Sequence, residues 1–435
     1  MKSILGGFIH MGTGATPDTR AEAHPELLPR GEIPQPVPAD DSYHVRLPLP
    51  GQGTVAFELG NFGSQPPESY HLRLVDEQRA KVAEILVKDT SLTAKLFDAD
   101  GHVRKSVTRE VPAGMHLIRF AATSAFLWIS VDRAHRTLRV GHGYMMRLNE
   151  LLALQAEAPK DTSPERVGKV SAVLLEDTAR VLSAPKVNRM PVVVDAPPVI
   201  LDSQSISLEN IARNEALSPV VLPEEAQLLH GSVAGRNIVL SPADAAAINY
   251  SLDTPGKTLR EKLDKKREEF GDPDMVYIRV TIGPNEGDSP GSPYVLEIWP
   301  RGCRSPVHNH GGTVAVIKVL HGSIRVRWFN PLADDKNGTP VCFGEQVFDE
   351  GGITWITPEM YQTHQLENPR NDTMCATIQS YRYLDRDELH YEFFDWLPPP
   401  GSDKGGKLQH FDPDSDFEYL QLLELVREEY ANRPR

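Results

Sequence analysis

The sequence predicts a mainly β chain with added helices, in which a C-terminal jelly-roll β-barrel follows an N-terminal β-sandwich-like domain. Two patterns carry this. From about residue 275, six runs alternate apolar and polar residues with period two: YIRVTI, YVLEIW, VAVIKVL, SIRVRWF, ITWIT and CATIQSYRY. Gly, Pro and Asn/Asp fall between them, as in a small barrel of short strands. Residues 43–142 hold a second series, YHVRLPL, TVAFELG, YHLRLV, LTAKLFDADG, MHLIRFAA and AFLWISV, whose spacing suggests an antiparallel sandwich.

In chain order, residues 1–42 are rich in Pro and Gly and read as an extended arm. The sandwich-like domain is expected over 43–158, closed by a helix at MMRLNELLALQAE (145–157), where Leu and Met recur at helical spacing. A mixed connector, 159–240, opens with a helix predicted over 163–182, with Ser163 as cap and Pro164 in its first turn. The Val- and Pro-rich stretch 184–200 reads as connector or edge strand. Ser207 and Asn210 are spaced as a capping pair for SLENIARNEAL. The barrel domain, 241–435, carries helices predicted at 241–252 and 257–270 and a final amphipathic helix in DFEYLQLLELVREEY.

The chain has 46 Lys+Arg against 60 Asp+Glu, a formal charge of −14. Such a surface repels phosphate backbones and anionic lipid, so neither nucleic acid nor membrane is an expected partner. Cys303, Cys342 and Cys375 form no CxxC pair, which argues against a disulfide framework and suits a reducing, cytoplasmic setting. MKSILGGFIHMG is too weakly apolar for a secretory signal.

The sharpest chemical feature is PRGCRSPVHNHGG. In a strand, His308 and His310 point to one face and supply half of a metal site. ITWITPEMYQTHQLEN offers His364 as the third ligand. Gly302, Gly322, Gly352, Pro358 and Asn368 flank the two segments, and together they resemble the paired signature of the cupin superfamily. Two departures stand out. Met360 occupies a usual glycine position in a segment one residue longer than common, and GGTVAV offers no glutamate after the HxH pair. Three neutral ligands would leave the metal its full charge and favour an anionic ligand such as thiolate. Ligand type alone leaves iron, zinc and other divalent ions open.

Residues 275–385 further resemble the cysteine dioxygenase family of cupin-type thiol dioxygenases. The resemblance implies Fe(2+) on His308, His310 and His364. It also implies a carboxylate-binding Arg279 with Tyr277 beside it, and a catalytic Tyr381 ending CATIQSY. Gln379, a candidate substrate-binding residue with Arg279 and Tyr277, stands where the family commonly has a histidine, and Ala315 where it has a cysteine that cross-links to the tyrosine, so no such link is expected. The implied activity is addition of both atoms of O2 to a small, cysteine-like thiol. The alternatives are a metal-dependent cupin enzyme acting on a non-thiol substrate and a non-enzymatic ligand-binding barrel. No polar cluster stands out in the N-terminal domain, which is a candidate homo-oligomer contact.

Overall fold

The computed structural model describes residues 43–59, 68–113, 115–118, 125–156, 166–176, 181, 184–267, 269–283, 294–332, 340–383, 394–398 and 407–434. The arm at 1–42, Ser163 and Pro164 lie outside them.

The N-terminal part is a two-sheet sandwich. Its strands are β1 (Tyr43–Arg46), β2 (Gln52–Leu59), β3 (Tyr70–Val75), β4 (Lys81–Val87), β5 (Ser91–Phe97) and β6 (Val103–Glu110). There follow β7 (Ala125–Asp132), β8 (Thr137–His142), β9 (Glu150–Gln155), β10 (Ala172–Leu175) and β11 (Lys186–Asn188). One sheet runs β1-β10-β3-β4-β5-β6 and the other β11-β2-β7-β8-β9. Alternate side chains such as Leu72, Leu74, Ile85, Ile129 and Val140 are fully buried between them. Along β3 and β5 burial mostly alternates, as the period-two pattern encodes, whereas β2, β7 and β8 are buried on both faces, with Ala56 and Trp128 packed on the side away from this core.

Two expected helices are strands. The described part of 145–157 forms a single 3-10 turn, Arg147–Asn149, and then β9, paired antiparallel with β8. Leu152 and Leu154 are buried while Ala153 and Gln155 are exposed, so the same apolar residues satisfy period two once a neighbouring strand is present. The described part of 163–182 likewise holds β10, inserted between β1 and β3. Its Val173 and Leu175 are buried there, so tertiary pairing overrides a helical stripe. The stretch expected as connector thus supplies β10 and the edge strand β11. Of MHLIRFAA only 115–118 is described, and it is not a strand.

The C-terminal part is a jelly-roll barrel with helices outside it. Ahead of it come β12 (Val199–Ile200), α1 (Leu208–Arg213), α2 (Glu224–Val233), α3 (Pro242–Asp253) and α4 (Thr258–Lys266). The Ser207–Asn210 capping box opens α1, and the Ser241 hydroxyl caps α3 with Pro242 in its first turn. Helix α2, unread in the sequence, packs on the barrel wall. The barrel strands are β13 (Ile278–Ile282), β14 (Tyr294–Trp299), β15 (Val307–His308), β16 (Val314–His321), β17 (Ser323–Phe329) and β18 (Cys342–Asp349). They continue with β19 (Ile353–Ile356), β20 (His364–Glu367), β21 (Cys375–Arg382), β22 (Phe394–Leu397), β23 (Gln409–Phe411) and β24 (Phe417–Glu418), before α5 (Tyr419–Ala431). One sheet runs β12-β19-β16-β21-β14-β13-β24 and the facing sheet β18-β17-β20-β15-β22-β23. Helix α5 lies against α3. Among the described residues no helix is long and apolar enough to cross a membrane.

Candidate metal centre

Strand pairing assembles the histidines. His308 on β15 lies directly opposite His364 on β20, and His310 follows two residues on. The three rings form a nearly equilateral triangle, with centroids 4.8, 5.0 and 4.7 Å apart. Their nitrogens lie within 4.8 Å of one another, and all three residues are buried. His310 Nε2 stands 2.9 Å from His364 Nε2. Two nitrogens bound at right angles to one ion, each at about 2.0–2.1 Å, would be about 2.9 Å apart, so this spacing suits a shared metal.

The protonation states fit as well. His308 Nδ1 lies 3.0 Å from the Pro306 carbonyl, which can only accept, so Nδ1 carries the hydrogen and Nε2 keeps its lone pair. Burial pushes His308 down to about 4, with the Pro306 carbonyl opposing and the Arg279 charge reinforcing. Burial, then the neighbouring histidines, holds His310 well below its ordinary value; burial and His308 do the same to His364. Neutral imidazole is the ligand form. Because its folded pKa is depressed, His308 contributes stability that is present above about pH 6.5 and lost as pH falls toward about 4. Metal-free protein is expected to lose about 1.4 kcal/mol per pH unit from this residue across that window. Urea unfolding at stepped pH reads it, and a profile identical to that of His308→Ala would refute it.

The turn before β20 answers the Met360 departure. Thr357 and Met360 bond across a tight turn, and the left-handed residue is the next one, Tyr361, at φ 61°. A bulky residue tolerates that conformation only when its surroundings hold it. Tyr361 is fully buried between Trp328 and Trp355, and its hydroxyl donates to the Ala196 carbonyl at 2.7 Å. The residue after it, Gln362, escaped the sequence reading. Its Oε1 accepts from the backbone N–H of His310 (3.2 Å) and Gly312 (2.9 Å), and its Nε2 donates to the Thr313 and Thr357 carbonyls. Three of these four bonds tie the two histidine segments together, and the fourth braces the turn before Gln362 itself. The sandwich also reaches this place, where the Tyr144 hydroxyl bonds Thr363 Oγ1 at 3.0 Å, next to His364.

Beside the histidines, the Tyr381 ring stacks on His310 at 5.6 Å. Its hydroxyl donates to Gln379 Oε1, and Gln379 Nε2 donates to Glu297 Oε2. Glu297 Oε1 in turn accepts from Arg279 Nη1 at 2.7 Å. Glu297 stands directly opposite Arg279 in the β13–β14 ladder and is 3% exposed. Arg279 therefore does not present a free charge. Burial raises the Glu297 pKa against the downward pull of Arg279. The sequence held one signal of this pair: YIRVTI and YVLEIW, folded as an antiparallel hairpin, can set Arg against Glu. Tyr277 stacks on Trp299 (4.7 Å) rather than on the histidines. With Arg279 and Phe411 it lines a cavity of about 350 Å³. Phe411 and Phe394 wall the imidazoles, with centroids 6.0 Å from His308 and 4.4 Å from His310. Ala315 faces Tyr381 across the β16–β21 ladder, and Cys303 is buried and free.

No family model matches the chain. Among solved structures it is similar to the cupin domain of Cnp3 from Schizosaccharomyces pombe, at 10% identity and a TM-score of 0.19 over 25% of this chain. It spans 65% of that chain. It is also similar to a cupin domain of an XRE-family transcriptional regulator from Enterobacter cloacae, at 9% identity and a TM-score of 0.19, covering 25% of this chain and 97% of that one. Sheep galectin-11 aligns at 13% identity and a TM-score of 0.25, over 34% of this chain and 99% of its own.

Proposed function

We propose that the barrel is an iron(II)-dependent thiol dioxygenase that adds both atoms of O2 to the sulfur of a small thiol. One thiol and one O2 give one sulfinic acid, so no further reductant is needed. The observation that carries this reading is the meeting of three buried imidazoles in one group that includes no carboxylate among the described residues. His308, His310 and His364 would hold the ion. Bound there, iron would retain its full dipositive charge, acidify a thiol and supply the redox chemistry that dioxygen requires.

The remaining residues shape the pocket. Phe394 and Phe411 exclude water from the imidazoles. Burial raises the Tyr381 pKa, so its phenol stays protonated beside His310, with its hydrogen directed to Gln379. The Arg279–Glu297 pair bears on the substrate. A simple carboxylate thiol would have to compete with Glu297 for the guanidinium, whereas a cysteine-like zwitterion offers one charge to each partner. The same pair favours a second reading, a metal-dependent cupin enzyme acting on a non-thiol substrate, because the Arg279 charge is already balanced. Metal analysis after growth in iron-rich medium separates the two when another ion is retained.

The direct test is oxygen consumption by anaerobically iron-loaded, full-length protein with cysteine, 3-mercaptopropionate and cysteamine. Thiol-dependent uptake with a sulfinate product is expected, strongest with cysteine. The proposal fails if no thiol stimulates uptake and His308→Ala behaves like the parent.

A further inference from the structure

The outer face of the sandwich carries a second constellation, far in sequence from the histidines. On the side of β8 and β9 turned away from the core, Arg139 stands opposite Ala153 and Thr137 opposite Gln155. The edge strand β6 lies alongside and contributes Lys105, Val107 and Arg109 at the two-residue spacing of one strand face. Arg147 and Val193 close one end, joined by a 2.9 Å bond from Arg147 Nη1 to the Val193 carbonyl. The result is a cleft of about 540 Å³, within the usual range of small-ligand sites.

Arg139 lies within this cleft and is only 8% exposed. Its Nη1 hydrogens find no hydrogen-bond acceptor. Glu150 Oε2 lies 3.1 Å from Nε and engages it, while Asp132 Oδ2 lies 3.9 Å from Nη1, too far for a hydrogen bond, so the charge has company while the Nη1 donor remains unspent. Those two carboxylates are shared: Glu150 also pairs with Arg147 at 2.8 Å, and Asp132 with His135 at 2.6 Å. Four cations, Lys105, Arg109, Arg139 and Arg147, thus line one cleft beside two carboxylates, on a chain whose net charge is −14; the Lys105 ammonium also donates to the Gln155 carbonyl at 2.8 Å. Burial and then the neighbouring Arg147 charge press the Arg139 pKa down, while Glu150 and Asp132 pull it up. Water could satisfy the Nη1 donor but gives no reason for the cations to gather.

We propose that this cleft binds a small molecule through a tetrahedral oxyanion, a phosphate or sulfate ester. Several cations approaching from different strands match three or more divergent oxygens better than a single planar carboxylate. Val107 and Ala153 offer apolar surface for the body of the ligand. A long polyanion would meet the acidic remainder of the chain, which favours a small ligand.

The test is titration calorimetry on the full-length protein at low ionic strength. The probes are inorganic phosphate, inorganic sulfate, glucose 6-phosphate, glucose 6-sulfate and glucuronate. Saturable binding of a phosphate or sulfate probe is expected, at least about tenfold tighter than glucuronate. Affinity that rises between pH 5.5 and 7.5 marks phosphate, which gains its second charge near pH 6; a flat profile marks sulfate. Arg139→Gln and Arg109→Gln should each weaken binding by about fivefold or more, with oxygen uptake unchanged. Should Arg139→Gln fail to fold, Arg109→Gln on the exposed edge strand still decides. No saturable binding, equal affinity for glucuronate, or an Arg109→Gln variant that binds like the parent each overturns the proposal.

Discussion

Replacing His364 with alanine is expected to lower metal affinity by about a hundredfold or more, since losing even an outer partner of a ligating histidine costs 10–100-fold. Thiol-dependent oxygen uptake should fall to background with it. The residue lies directly opposite His308 in the β15–β20 pairing, and its Nε2 is 2.9 Å from that of His310, so its loss leaves two nitrogens where three converged. Metal content after dialysis, read beside the circular dichroism of the metal-free protein, separates a lost ligand from a lost fold. A folded variant that retains the parent's metal would sink the three-histidine reading.

Breaking the buried ion pair is expected to have the second-largest effect. Glu297→Ala leaves the Arg279 guanidinium 7% exposed without its partner carboxylate, and also strips Gln379 of its acceptor. Removing one member of a buried pair costs about 3–5 kcal/mol. In a domain of this size that corresponds to a fall in Tm on the order of 10 °C. The double variant Arg279→Met, Glu297→Leu should recover most of this, because apolar side chains of similar volume replace the pair without stranding a charge. Thermal denaturation of the two singles and the double gives the coupling directly. If Glu297→Ala melts with the parent, the pair is not the buried charge couple described above.

How much of this was legible depends on the kind of information each feature needs. Most of the barrel and sandwich runs, the capped helix at Ser207 and the helix beginning at Ser241 could be read locally, since each is a pattern written in consecutive residues. The three histidines stood out as a set because HxH fixes a common strand face and a second flanked segment supplied the third. Residues 145–157 misled because an apolar-rich run satisfies both helical and strand spacing, and only the presence of β8 beside it selects the strand.

What the sequence by itself determined, then, was which residues could ligate and most, though not all, of the extended segments. The tertiary structure alone decided the partners: Glu297 facing Arg279, Gln362 bridging the two histidine segments, Tyr361 rather than Met360 taking the left-handed turn, and Arg139 held in a cleft with an unspent Nη1 donor. The physical reason is that each of these rests on register between segments distant in the chain. A one-residue slip in register turns every side chain of a strand to the opposite face, and burial across the two cores, rather than any local signal, fixes that register.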